Sequence, residues 1–114
     1  MTDADIKSAV SEIVSLLARE DFDALDRRGA LATGSKESLK NVVADYLRGA
    51  RRLSMPPYST YDELDVYETR DPKRRRVDFD LWVDGERSDL TAQIYVEEAP
   101  SGTVSARLYD IRVL

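Results

Sequence analysis

The stretch VDFDLWVDGERSDLTAQIYVEEAPSGTVSARLYDIRVL, residues 77–114, decides the fold. Val77, Phe79, Leu81 and Val83 alternate with Asp78, Asp80, Trp82 and Asp84, and Leu90, Ala92, Ile94 and Val96 alternate with Thr91, Gln93, Tyr95 and Glu97. A period of two puts one side of each run in a core, so both read as strands. Asp84-Gly85 is a hairpin turn signal, and Pro100-Ser101-Gly102 serves the same purpose before a third run, Val104, Ala106 and Leu108. Ile111 and Val113 resume that run one residue out of step, which predicts a bulge near Tyr109 and Asp110. Short turns make these neighbours antiparallel.

Working outward toward the N-terminus, Leu64 and Val66 alternate with Asp65 and Tyr67, predicting a polar edge strand over Glu63 to Thr69. Asp71-Pro72 opens the turn that follows, and Lys73, Arg74, Arg75 and Arg76 are read as its charged hairpin tip. Met55-Pro56-Pro57-Tyr58 is a stiff, extended connector, because each proline restricts its predecessor. The half before it is helical. Ile6, Val10, Ile13 and Leu17 recur every three or four residues to about Arg19, with Thr2 and Asp5 at capping-box spacing. Phe22 and Leu25, with Asp21 or Asp23 as N-cap, predict a short second helix before Gly29, and Ala30 to Gly34 reads as a loop. Ser35 caps a third helix carrying Leu39, Val42, Val43, Tyr46 and Leu47, with Gly49 at its C-terminal end and Arg48, Arg51 and Arg52 where cations meet the negative pole. The expected architecture is one α+β domain, residues 1–114, with two or three N-terminal helices on one face of a four-stranded antiparallel meander.

Composition narrows the chemistry. The chain has no cysteine and no histidine, which removes disulfides, thiolate nucleophiles, the familiar histidine triads and most transition-metal sites. Any catalysis has to run on carboxylates, tyrosines, Lys or Arg. A net charge of −5, from 22 acids against 17 bases, disfavours nucleic acid and anionic membranes as partners. With no long apolar run and no basic leader ahead of an apolar segment, a cytoplasmic location is expected.

The two sides of the sheet differ in kind. The inward set, Leu64, Val66, Val77, Phe79, Leu81, Val83, Leu90, Ala92, Ile94, Val96, Val104, Ala106, Leu108, Ile111 and Val113, contains nothing polar. A catalytic cavity needs converging polar groups among apolar walls, so no catalytic residue, cofactor or metal is assigned. The outward set contains Tyr67, Asp78, Asp80, Trp82, Gln93, Tyr95, Arg107, Tyr109 and Arg112. Aromatics and Arg are the residues enriched at interface centres. This face therefore reads as a protein interface, with Trp82, Tyr95, Tyr67 and Tyr109 as anchors, serving a homodimer or the capture of another protein. The plainer alternative is a set of good strand formers making cross-strand pairs. Asp78 and Asp80 are expected to pair with Arg107 or Arg112 across the sheet, in preference to a carboxylate pair or a divalent-cation site. A second reading places a small-molecule or lyase-type pocket between helices and sheet, using Tyr46, Tyr58 or Tyr61 with Glu68.

The opening IKSAVSEIVSLLAREDFDAL (6–25), together with SDLTAQIYVEE (88–98) and LYDIRVL (108–114), resembles the cystatin-like superfamily, in particular small bacterial domains like nuclear transport factor two. The resemblance implies a cone between helix and sheet and frequent dimerisation through the open sheet face. Some such domains are isomerases, dehydratases or cyclases using Asp, Tyr or His in the cone. Others are immunity proteins that block a partner toxin.

Overall fold

The computed structural model describes residues 1–32 and 34–113. Three helices come first, α1 (Asp3–Ala18), α2 (Phe22–Arg27) and α3 (Lys36–Leu47), and five strands follow, β1 (Leu53–Ser54), β2 (Asp65–Glu68), β3 (Arg74–Val83), β4 (Glu86–Glu98) and β5 (Val104–Val113). The fold is α+β with an open antiparallel sheet, as the sequence pattern implied.

Each helix starts where its cap dictates. Thr2 Oγ1 accepts from the Asp5 N–H at 3.1 Å while the Thr2 N–H donates back to Asp5 Oδ2 at 2.9 Å, a reciprocal box that satisfies two orphan groups at the start of α1. Asp21 caps α2 through the Ala24 N–H, and Ser35 caps α3 through the Ser38 N–H. The expected end of α3 shifts by one residue. Arg48 itself takes the left-handed conformation at φ 53°, ahead of Gly49 at φ 73°. From α1, Ile6, Val10, Ile13, Val14 and Leu17 are buried against the sheet, and the helix lies across β3, β4 and β5. Helix α2 bridges α1 to α3, and α3 rests on β5.

The sheet runs β1-β3-β4-β5, and β2 pairs with the same edge of β3 farther along. The expected four-strand meander is therefore joined by a fifth, two-residue strand: Leu53 and Ser54 sit opposite Val83 and Trp82. Between β1 and β2 the predicted extended connector, up to Pro57 at φ −56° and ψ 143°, leads into a 3-10 turn over Tyr58–Glu63 that begins at its last residue. Pro57 at its start supplies the pre-set φ, and its carbonyl accepts from Thr60 N and Oγ1. Arg74, Arg75 and Arg76 lie inside β3, which corrects their expected place in a hairpin tip. The 84–85 turn is tight, with Asp84 at φ 49° and Gly85 at φ 80°, the two left-handed residues that a two-residue hairpin of matching twist requires.

Two irregularities set the register. Between the pairs Asp80↔Thr91 and Trp82↔Arg87, Leu81 alone faces three residues of β4, and Ser88 Oγ closes the gap by donating to the Leu81 carbonyl. In β5 the pairs Gln93↔Asp110 and Ile94↔Leu108 leave Tyr109 as the extra residue, the bulge that the broken alternation pointed to. Ala30 to Ala32, expected as plain loop, forms a parallel bridge to β5. The Leu108 N–H donates to the Ala30 carbonyl and the Ala32 N–H to the Leu108 carbonyl, which covers the middle of that strand's free edge. Thr33 of the same expected loop lies outside the described residues.

The core follows the inward set with two corrections. Val77, Phe79, Leu81, Val83, Leu90, Ala92, Ile94, Val96, Leu108 and Ile111 are buried, and Leu64, Val104 and Ala106 are partly so. Val66, 41% exposed, and Val113, 56% exposed, sit on the inner side but beyond the helices that would cover them.

Candidate functional site

Among the described residues no helix lies against the outer side of the sheet, and the strand registers place its side chains in rows. Tyr67, Arg76, Tyr95 and Arg107 stand in one row across β2, β3, β4 and β5. The Arg76 guanidinium lies 4.8 Å from the Tyr67 ring centre, and that of Arg74, one row along, lies 3.7 Å from the Tyr95 ring centre. Planar cations over ring faces gain from the quadrupole, about 0.5–1 kcal/mol at exposed sites. Tyr109, pushed out by the bulge, meets Tyr95 edge to face at 5.2 Å. Three of the four aromatic anchors thus gather at one end of the face, with Arg74, Arg76 and Arg107 among them.

Trp82 is not part of that group. It lies six residues along β3 from Arg76, about 20 Å at the usual strand rise, opposite Ser54 and Arg87. Its enclosed indole N–H has no hydrogen-bond partner among the described residues. Gln93 stands between Asp78 and Asp110 in the row that separates the two ends.

The two aspartates pair differently from expectation. Asp78 Oδ1 is 3.3 Å from Arg76 Nε on its own strand, and Asp80 Oδ2 is 3.0 Å from Arg87 Nε; Arg112 instead holds Asp110 at 2.9 Å. The reason is reach. Asp110 and Arg112 lie two residues apart on β5 and so share a face, and Arg87 lies beside Asp80 because of the extra residues in β4. Asp80 also accepts from Thr91 Oγ1 at 2.8 Å, and Thr91, expected to be a surface residue, is 1% exposed. No cluster of three or more His, Cys, Asp or Glu that could hold a metal is found among the described residues.

The face is internally balanced in charge. Five arginines (Arg74, Arg76, Arg87, Arg107, Arg112) stand among five carboxylates (Asp65, Asp78, Asp80, Glu97, Asp110), on a chain whose net charge is −5. Alternation within the runs pointed to Arg107 and Arg112 on this face, and Arg74, Arg76 and Arg87 join them in the structure. The period-two pattern could have found Arg74 and Arg76 had β3 been extended back by three residues.

The pocket residues of the second reading are dispersed. Tyr46 donates to Asp89 at the far end of the molecule, Tyr58 is largely exposed, and Glu68 is exposed on β2. Only Tyr61 is buried, stacked on Phe79 at 5.5 Å, and burial pushes its phenol pKa up. Among the described residues no carboxylate is buried. The basic run also has local partners: Arg75 donates to the Pro72 carbonyl, and Arg74 and Arg76 stack on tyrosines as described.

These features define a class, an α+β domain with helices on one side of an antiparallel sheet and an arginine–tyrosine surface on the other. A protein-family model described as Domain of unknown function (DUF7668) matches residues 14–114, and the chain belongs to that family. No curated protein and no solved structure matches it. No helix among the described residues is long and apolar enough to cross a membrane.

Proposed function

We propose that this protein is a non-catalytic association domain and that a second copy of the chain occupies the outer face of its sheet. The observation that carries the reading is the row Tyr67, Arg76, Tyr95, Arg107. Read from β2 to β5 it runs Tyr-Arg-Tyr-Arg; read from β5 to β2 it runs Arg-Tyr-Arg-Tyr. A twofold axis along the strands, between β3 and β4, therefore sets each ring against a guanidinium: Tyr67 against Arg107 of the second copy, and Arg76 against Tyr95 of the second copy. The same axis sets Arg74 against Glu97 of the second copy. An isologous contact has to be self-complementary in this way.

Charge and size agree. Two chains of net charge −5 repel in general, and a face whose own charges cancel is where that repulsion is least. Strands β3, β4 and β5, each about 30 Å or longer, and the four-residue β2, spaced about 4.8 Å, project roughly 500 Å². Side-chain relief raises that toward the ~800 Å² per partner of a standard interface. A dimer of micromolar affinity is expected.

Sedimentation equilibrium across a micromolar range tests the reading. The wild type should show a monomer–dimer equilibrium that Tyr67→Arg weakens, because it sets Arg against Arg, and that the double swap Tyr67→Arg with Arg107→Tyr restores. The swapped row, Arg-Arg-Tyr-Tyr, is still complementary under the same axis, and no partner of different sequence rewards that swap. A chain monomeric at every concentration would remove the second copy and leave a different protein, such as the target of an immunity-type binder, as the occupant. A dimer indifferent to both substitutions would place association elsewhere and sink the reading.

A further inference from the structure

We propose that the cleft between the start of α1 and strand β2 binds an extended basic peptide, which adds a strand to the free edge of β2. This site lies on the helix side of the sheet and is independent of the outer face. Strand β2 pairs with β3 on one edge only, so its other edge presents backbone N–H and C=O groups with no partner among the described residues. Beside that edge opens a cleft of about 570 Å³, whose walls include Ala4, Ile6 and Lys7 of α1, Tyr61 of the 3-10 turn, Leu64 and Val66. Val66 points to the helix side yet stays 41% exposed, leaving apolar surface for an incoming side chain to cover. Tyr61 is only 5% exposed, and its hydroxyl finds no hydrogen-bond partner among the described residues. A buried polar group left so is destabilising, and a ligand atom that reached it would relieve that cost.

An open strand edge beside a pocket is the arrangement by which added strands are recognised. Main-chain hydrogen bonds supply affinity, and the pocket takes every second side chain. The charge of the rim selects the occupant. Asp3, Asp62, Asp65 and Glu68 border the cleft and edge; of these, Asp62 holds Lys7 and Glu68 stands opposite Arg75 of β3, while Asp3 and Asp65 have no paired cation in the ion pairs of the described residues. Those acids oppose a second β2 from another copy, since like charges directly opposite are destabilising. They favour a segment in which apolar residues alternate with Lys or Arg.

The test is fluorescence anisotropy of the full chain with a labelled, end-capped heptapeptide alternating lysine and valine. Saturable binding is expected. Methylating alternate backbone nitrogens of the peptide keeps its charge but removes strand pairing, and should weaken binding about tenfold or more, the equivalent of 1.4 kcal/mol. Val66→Lys, with an unchanged circular dichroism spectrum, should weaken it similarly; Trp82→Asp, on the other face, should leave it unchanged. Equal binding of the methylated peptide would show charge attraction alone and overturn the proposal. So would wild-type affinity in the Val66→Lys variant, or no saturation at millimolar peptide.

Discussion

Ile94 and Tyr95 are neighbours on β4 and face opposite ways, and they show what each side of the sheet is for. Ile94 is fully enclosed among helix and strand side chains. Tyr95 is half-buried by surface neighbours alone, with Arg74 on its ring and Tyr109 at its edge. The inner side is held by dense apolar packing, where every methyl group has partners and its loss leaves a void. The outer side is held by planar groups laid on one another, contacts that a second molecule of similar chemistry could extend. Stability is thus concentrated on one side, leaving the other free to carry recognition at little cost to folding.

The largest break in that comparison comes from Ile94→Ala, which should lower unfolding free energy by about 3 kcal/mol in urea denaturation. Tyr95→Ala, one residue on, should cost about 1 kcal/mol or less in the isolated chain. If the two losses are equal, the outer face is a second core and the contrast fails. Thr91→Val sharpens the boundary, because Thr91 is an outward-facing residue that is nonetheless buried. Removing its hydroxyl takes a donor from Asp80, whose other partner is Arg87. A loss of about 1 kcal/mol is expected, read from the shift in the denaturation midpoint at unchanged slope.

The smallest effect lies at the cap of α1. The Thr2 backbone N–H and then its hydroxyl hold the Asp5 carboxyl below its ordinary value of 3.8. A carboxylate with a lowered folded-state pKa contributes stability above its unfolded value and loses that contribution as pH falls through the folded one. Thermal midpoints of wild type and Asp5→Asn should therefore differ at neutral pH and converge below about pH 3. A difference that persists unchanged in acid would show that the cap does not depend on the charge.

Much of the fold was legible because its signals are local. The caps Thr2, Asp21 and Ser35, the turn Asp84-Gly85 and the bulge at Tyr109 each depend on a few consecutive residues, and each lies where the pattern put it. The 3-10 turn at Tyr58–Glu63 was not legible. The proline pair fixed the extended entry as far as Pro57, but nothing in the pattern of Ser59 to Glu63 distinguishes a tight turn from the start of the edge strand. Val66 and Val113 kept the right alternation, but whether a helix reaches far enough to cover them is a matter of length and placement in three dimensions.

The sequence by itself determined the helix starts, the strand periodicity and the composition of the two sides, because these follow from 3.6- and 2-residue repeats and from short-range hydrogen bonds. Only the tertiary structure decided that Tyr67, Arg76, Tyr95 and Arg107 share one row, that Trp82 stands apart from them, and that a cleft opens beside β2. Register across four strands depends on bulges and on which edges meet. One extra residue in β5 and the extra residues in β4 reassign every cross-strand neighbour beyond them, and the alternation within a single strand contains no record of that choice.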